Sequence, residues 1–273
     1  MSGAVEDRRS RPLPLLRAAR AVFDLSLEGM LISRRSAFMA ALLGLPIAFA
    51  ILYRVQVAGD ATPHLSGFDF YGLIVSLYYV RNALPFTALF YASALVADEL
   101  EGRTITFLLT RPVPRASILL GKFAAYLATG LTLALPPIAL TFLLLVSAQG
   151  LERVGPLVGE LARDLGVTAL ALLAYGALFT VLGVVLRRPV IPGLVFLLLW
   201  ELLANLPGYL PRFTITAYLR SLIPYRPPLE GLSEVFGQVL PTGLSLGVLA
   251  GVSVIGLAAS ILIFSIREYV PEQ

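Results

Sequence analysis

Apolar positions in this chain run in long unbroken blocks rather than at every second or every third-to-fourth residue. The blocks cover roughly residues 36–53, 70–97, 118–147, 165–186, 189–209 and 240–266. Residues 70–97 hold one charge in 28 positions, and residues 123–151 hold none in 29. About 20 apolar residues of helix span a bilayer's hydrocarbon core, so blocks of this length predict membrane spans. Hydrocarbon offers no partner for a free backbone amide, so each such block folds as a helix. The pattern therefore predicts an all-α integral membrane protein with six transmembrane helices in a single transmembrane domain, residues 1–273.

A different pattern precedes the first block. On a helix at 100° per residue, Arg17, Arg20, Asp24 and Glu28 fall within about 80° of one another. Leu16, Ala19, Val22, Phe23, Ser26, Leu27 and Met30 take the opposite side. Such a stripe predicts an amphipathic helix over residues 15–31, lying in the membrane interface or packed on a partner protein. It belongs to an N-terminal region, residues 1–35. Residues 207–241 are too polar to cross, yet carry Phe213, Tyr218, Leu222, Tyr225 and Phe236. They predict either an extracellular loop or short helices dipping back into the outer leaflet.

Charge sets the orientation. Arg54, Arg153, Arg163, Arg212, Arg220 and Arg226 fall on one side of the six-span layout, and Arg81 falls inside a span. The other 14 of the 21 basic residues fall on the side of the N-terminus. The positive-inside rule then places both termini in the cytosol, and residues 97–122 with them.

Composition narrows the functions available. The chain is 58% apolar with mean hydropathy +0.84 and 14% charged residues, outside the range of a soluble domain. It has no cysteine and a single histidine, His64, which excludes thiol chemistry and any His- or Cys-rich metal site. A net charge of +4 on such a chain reads as topology and attraction to anionic lipid, not nucleic-acid binding. The Arg-rich start lacks a cleavage pattern after the first apolar run, so that run is expected to be retained.

The dense polar insertion at residues 97–122 carries the strongest motif. Asp98, Glu99 and Glu101 crowd the end of an incoming helix, where the macrodipole disfavours acids. Gly102 can break that helix, and Thr104 to Thr110 can form a short helix stopped by Pro112. Glu99, Glu101, Gly102, Thr104, Leu108, Leu109, Pro112, Arg115, Gly121 and Lys122 together resemble the cytoplasmic segment of type-2 ABC transporter permeases. The resemblance implies a permease subunit of an ABC exporter in the plasma (inner) membrane, coupled to a separate ABC ATPase. It also implies a second permease copy, as a homodimer or heterodimer. The ATPase-coupling residues it implies are Asp98, Glu99, Glu101, Gly102, Arg103, Thr104, Arg111, Pro112, Arg115, Gly121 and Lys122.

No phosphate loop accompanies the motif. The one Gly-Lys pair, Gly121–Lys122, is followed by Phe123 and lacks the glycine five residues earlier. The chain is therefore expected to bind no cofactor and to be no enzyme, with ATP and Mg held by the partner subunit.

Arg81 and Glu201 are the charges expected inside the membrane, at depths of about 24 Å and about 18 Å from the cytosolic side. Isolated burial of either is costly. They can line the translocation path with Tyr78, Tyr79 and Trp200. Alternatively they form a structural pair, or Arg81 snorkels outward. Gly243, Gly247 and Gly251 form a small-residue ridge, expected to pack within the subunit ahead of forming a dimer seam. Pro136–Pro137 should kink the third span.

Two rivals stand beside the transporter. An intramembrane enzyme would need a paired catalytic set, and the predicted spans contain no Asp. An ion-coupled carrier without ATP would show midplane acids and internal repeats. Neither signature is present in the sequence.

Overall fold

A computed structural model describes residues 15–59, 65–101, 115–202, 210–223, 225 and 240–266. Among these, 92% are helical and none is in a strand. Helix α1 (Leu15–Leu31) is followed by α2 (Arg34–Ala58). The next run comprises α3 (Gly67–Leu73), a π-helical stretch (Ile74–Ala83), α4 (Leu84–Ala92) and α5 (Ala94–Glu101). Then come α6 (Arg115–Val146), α7 (Val154–Val185), α8 (Val190–Leu202), the short α9 (Ile215–Ser221) and α10 (Thr242–Ile266).

Five helical runs among the described residues are long and apolar enough to cross a membrane: Arg34–Ala58, Gly67–Ala97, Arg115–Val146, Leu151–Val185 and Thr242–Ile266. The span expected at residues 189–209 is represented by α8, whose 13 residues extend about 20 Å. That is short of the ~30 Å hydrocarbon core, and residues 203–209 lie outside the described residues.

Helices α6 and α7 are the two central helices. Helix α7 packs against α4, α5, α6, α9 and α10 and is largely buried, whereas α10 is mostly exposed. Glycine permits the closest of these approaches: a Cβ on Gly183 would lie 2.3 Å from the Ser93 carbonyl oxygen, at the turn between α4 and α5. Tyr126 of α6 fills the notch at Gly176 and donates to the Leu172 carbonyl at 2.7 Å.

Pro46 lies inside α2 and removes the amide that would bond the Leu42 carbonyl. The neighbouring helix makes good the loss. Tyr78 donates its hydroxyl to the Leu42 carbonyl, and Tyr79 donates to the Leu43 carbonyl at 2.8 Å. Both tyrosines sit on the π-helical stretch, where Asn82 Nδ2 also donates to the Leu77 carbonyl at 2.6 Å.

Two expectations are corrected. Helix α7 begins at Val154, three turns before the predicted start at residue 165, so Asp164 lies inside a candidate span. The hydropathy pattern stopped at the charged residues Glu160, Arg163 and Asp164, whereas helical hydrogen bonding continues through them. Among the described residues nothing packs on the Gly243–Gly247–Gly251 ridge: a Cβ at each meets nothing within 4 Å. On α10 it is Gly256 that meets α7, with Ala177 3.2 Å from its virtual Cβ. Helix α6 runs on through Pro136 and Pro137 to Val146.

Candidate functional site

The site grows from the start of α6. Gly121 lies in its second turn, where α1 crosses it so closely that a Cβ would fall 2.4 Å from the Ala19 carbonyl oxygen. The amphipathic stripe explains the seating. Arg17, Arg20, Asp24 and Glu28 are all exposed, while Ala18 is buried and Ala19, Val22, Phe23, Leu27 and Met30 are half-buried. The apolar side of α1 therefore covers α6, and Leu25 stands 76% exposed beyond it.

Lys122 follows directly and is buried, with 8% of its surface exposed. A buried ammonium needs acceptors, and its Nζ donates to the Leu95 carbonyl of α5 at 2.8 Å. Asp98 and Glu99 follow Leu95 by three and four residues in the same helix. At the head of α6, Arg115 donates to the Ser265 carbonyl of α10 at 3.1 Å. Helices α1, α5 and α10 are thus each tied to the same two turns of α6.

A second knot joins α2 to α4. Ser33 caps α2, accepting from the Ser36 amide at 3.2 Å, and donates to the Met30 carbonyl at the end of α1 at 2.9 Å. Ser36 Oγ also donates to the Met30 carbonyl and lies 2.6 Å from the Tyr91 hydroxyl on α4. A cleft of about 560 Å3 opens between these knots, bordered by Ser33, Arg35, Tyr91, Leu95 and Lys122.

Of the residues singled out by sequence, Arg115, Gly121 and Lys122 are brought together here. Gly102, Arg103, Thr104, Arg111 and Pro112 lie outside the described residues. So do the side chains of Asp98, Glu99 and Glu101, whose backbone is helical within α5. His64 also lies outside them.

The second proposed group lies only partly within the described residues. Arg81 is half-buried on the π-helical stretch, and Glu201 sits near the end of α8 with its side chain outside the described residues. Helix α8 packs against α4. Tyr78 and Tyr79 spend their hydroxyls on α2. Trp200 stacks on Phe196 at 5.3 Å and donates Nε1 to the Phe213 carbonyl at 3.1 Å, tying α8 to the turn Leu210–Phe213.

Sequence reasoning missed a cluster at the opposite end of the bundle. Asp164 of α7 is 1% exposed and accepts a hydrogen bond from the Tyr225 hydroxyl at 2.6 Å. Tyr225 reaches it by lying across Gly72, where a Cβ would approach its ring to 2.4 Å. It also meets Tyr71 edge-on at 5.9 Å. Burial first, and the Asp164 carboxylate second, hold the Tyr225 phenol far above its ordinary range. Tyr71 Oη is buried next to the same carboxyl group. The signal was spacing: Leu157, Leu161, Asp164, Thr168 and Ala171 recur at helical intervals, placing the acid on a stripe that runs from half-buried to buried.

A family model described as ABC-2 family transporter protein matches residues 47–269. The chain belongs to this family. It is accordingly a multi-pass membrane permease of an ABC transporter, and family membership implies association with an ABC ATPase. No curated protein matches the chain. The match starts inside α2, so α1 and the Ser33–Ser36 knot precede it, while Gly121, Lys122, Asp164 and Tyr225 fall within it.

Proposed function

We propose that this ABC-2 family chain forms the translocation path of an exporter with six spans, both termini in the cytosol, in the plasma membrane. Two copies of the chain assemble with two ATPase subunits, and the chain itself performs no catalysis and binds no nucleotide. ATP and Mg belong to the ATPase. Residues 97–122 receive the ATPase, with Asp98, Glu99 and Glu101 offering acids where a helix C-terminus disfavours them. A basic docked surface offsets that cost. A Gly243–Gly247–Gly251 ridge with nothing against it among the described residues supports close approach to α10 by a helix of the second copy.

The observation that carries this reading is the convergence on the first two turns of α6. Gly121 seats α1, Lys122 holds α5, and Arg115 holds α10. A push on the loop entering α6 is therefore shared among three helices instead of being absorbed by one. Such a push, driven by closure of the ATPases, shifts the bundle between two packings that open the path alternately.

Glu99→Lys with Glu101→Lys tests it. The double variant is expected to fold, to reach the membrane, and to lose coupling between ATP hydrolysis and transport. Full transport with normal ATPase copurification would refute the docking role.

A further inference from the structure

Arg81 is a cation in the middle of a candidate span. It lies in the run Gly67–Ala97, about 20 Å from either end at 1.5 Å per residue. Its side chain is half-buried and makes no ion pair or hydrogen bond among the described residues. A cation at that depth is costly in lipid, and such residues face a water-filled cavity or a partner. Snorkelling serves long side chains near helix ends, and Arg81 is remote from both.

The backbone around it is also unusual. Ile74–Ala83 is π-helical, a rare geometry that recurs at functional sites. Asn82 stands exposed beside Arg81, and its Nδ2 spends one hydrogen on the Leu77 carbonyl at 2.6 Å. The second amide hydrogen remains to donate, next to a guanidinium with five N–H donors and no acceptor. Such a set of donors suits an oxyanion, which a guanidinium holds with two parallel bonds.

The adjoining surface is apolar. Tyr78, three residues before Arg81, reaches across to the Leu42 carbonyl of α2. Leu45 and Phe49 follow Leu42 at helical spacing and are 47% and 49% exposed. A small anion leaves this stripe unused, and a neutral apolar molecule leaves the guanidinium unanswered.

We propose that Arg81 and Asn82 hold the anionic end, a carboxylate or a phosphate, of an amphiphile that the permease carries, with its apolar part along Leu45 and Phe49. The inference rests on the translocation path proposed above and names the class of molecule that moves through it.

Binding is read on the full chain in phosphatidylcholine nanodiscs without ATP, so a failure of ATPase coupling and a failure of this site are separate results. The probes are dansylaminoundecanoate and its methyl ester. A second arm uses a dansyl-labelled lysophosphatidate and its dimethyl ester, and every reading is corrected for empty discs. A hydrogen bond to a charged group multiplies affinity by roughly tenfold or more. Wild type should therefore bind at least one acid about tenfold more tightly than its ester. Preference in the first arm assigns a carboxylate, and preference in the second a phosphate. Arg81→Gln should abolish the preference and Arg81→Lys should keep it. Arg54→Gln, which removes a charge near the far end of α2, should leave it unchanged. Equal binding of acid and ester in both arms by wild type would overturn the proposal, whether or not any variant folds. So would an Arg81→Gln variant that keeps the preference. A preference that emerges only in Glu201→Gln would overturn it in favour of an internal pair between Arg81 and Glu201.

Discussion

Gly121 offers the sharpest test of how α1 is held, because a single methyl group distinguishes two packings. In Gly121→Ala the new Cβ would stand 2.4 Å from the Ala19 carbonyl oxygen and 3.0 Å from Val22 Cβ. Ordinary carbon–oxygen contact begins near 3.4 Å, so α1 must retreat by about 1 Å. The obstructing oxygen is backbone inside a helix and cannot rotate aside. Overpacking of this kind costs about 1–3 kcal/mol. Against it stands the gain of about 1 kcal/mol from replacing glycine by alanine within a helix. Gly159→Ala on α7 supplies the control, since its Cβ would meet nothing within 4 Å and only the gain applies. The difference between the two variants isolates the overlap. At about 2–4 °C per kcal/mol for a chain of this size, it should separate their unfolding midpoints by roughly 2–12 °C, with Gly121→Ala the lower. Midpoints from thermal unfolding in detergent decide the question. Equal upward shifts in both variants would show that α1 does not rest on Gly121. A permease whose ATPase activity is measured in the assembled complex should, in Gly121→Leu, bind its ATPase yet respond to it weakly.

The remaining predictions concern orientation, the buried acid and the membrane charges. With no native cysteine, Leu151→Cys should label with an impermeant thiol reagent in intact cells and Leu25→Cys should not. Both positions are exposed, 81% and 76%, so the reverse result would invert the topology. Tyr225→Phe removes the hydroxyl that Asp164 accepts, and a hydrogen bond to a carboxylate contributes about 1.5–3 kcal/mol. Its unfolding midpoint should drop by several degrees, and an unchanged midpoint would dismiss the contact. Arg81→Met and Glu201→Gln should be non-additive in a double-mutant cycle of thermal stability if the two charges meet, and strict additivity would show that they do not.

Much of the bundle was legible in advance because its cause is local. A block of apolar residues must close its own hydrogen bonds in lipid, so helices and their approximate bounds follow from length and hydropathy alone. The boundaries of α1 match the stripe of Arg17, Arg20, Asp24 and Glu28 for the same reason: helical period is a property of the segment itself. The reading failed where charge interrupted hydropathy. Asp164 looked like the edge of a loop because a carboxyl is costly in lipid. Its acceptability depends on Tyr225, 61 residues away, which no local pattern encodes.

Family membership, helical class and the gathering of Arg115, Gly121 and Lys122 near one loop were thus properties of the sequence, set by periodicity and motif spacing. What each residue does there was settled by packing between distant segments. Gly121 matters because the Ala19 backbone crosses it, and Lys122 because the Leu95 carbonyl waits beside it. Tyr78 and Tyr79 matter because Pro46 strips a donor from another helix. The small-residue ridge on α10 shows the converse. Its spacing announces close approach, but among the described residues nothing comes near it, and Gly256 is the glycine that seats that helix on α7. Spacing records what a helix surface permits, and only the third dimension supplies the neighbour.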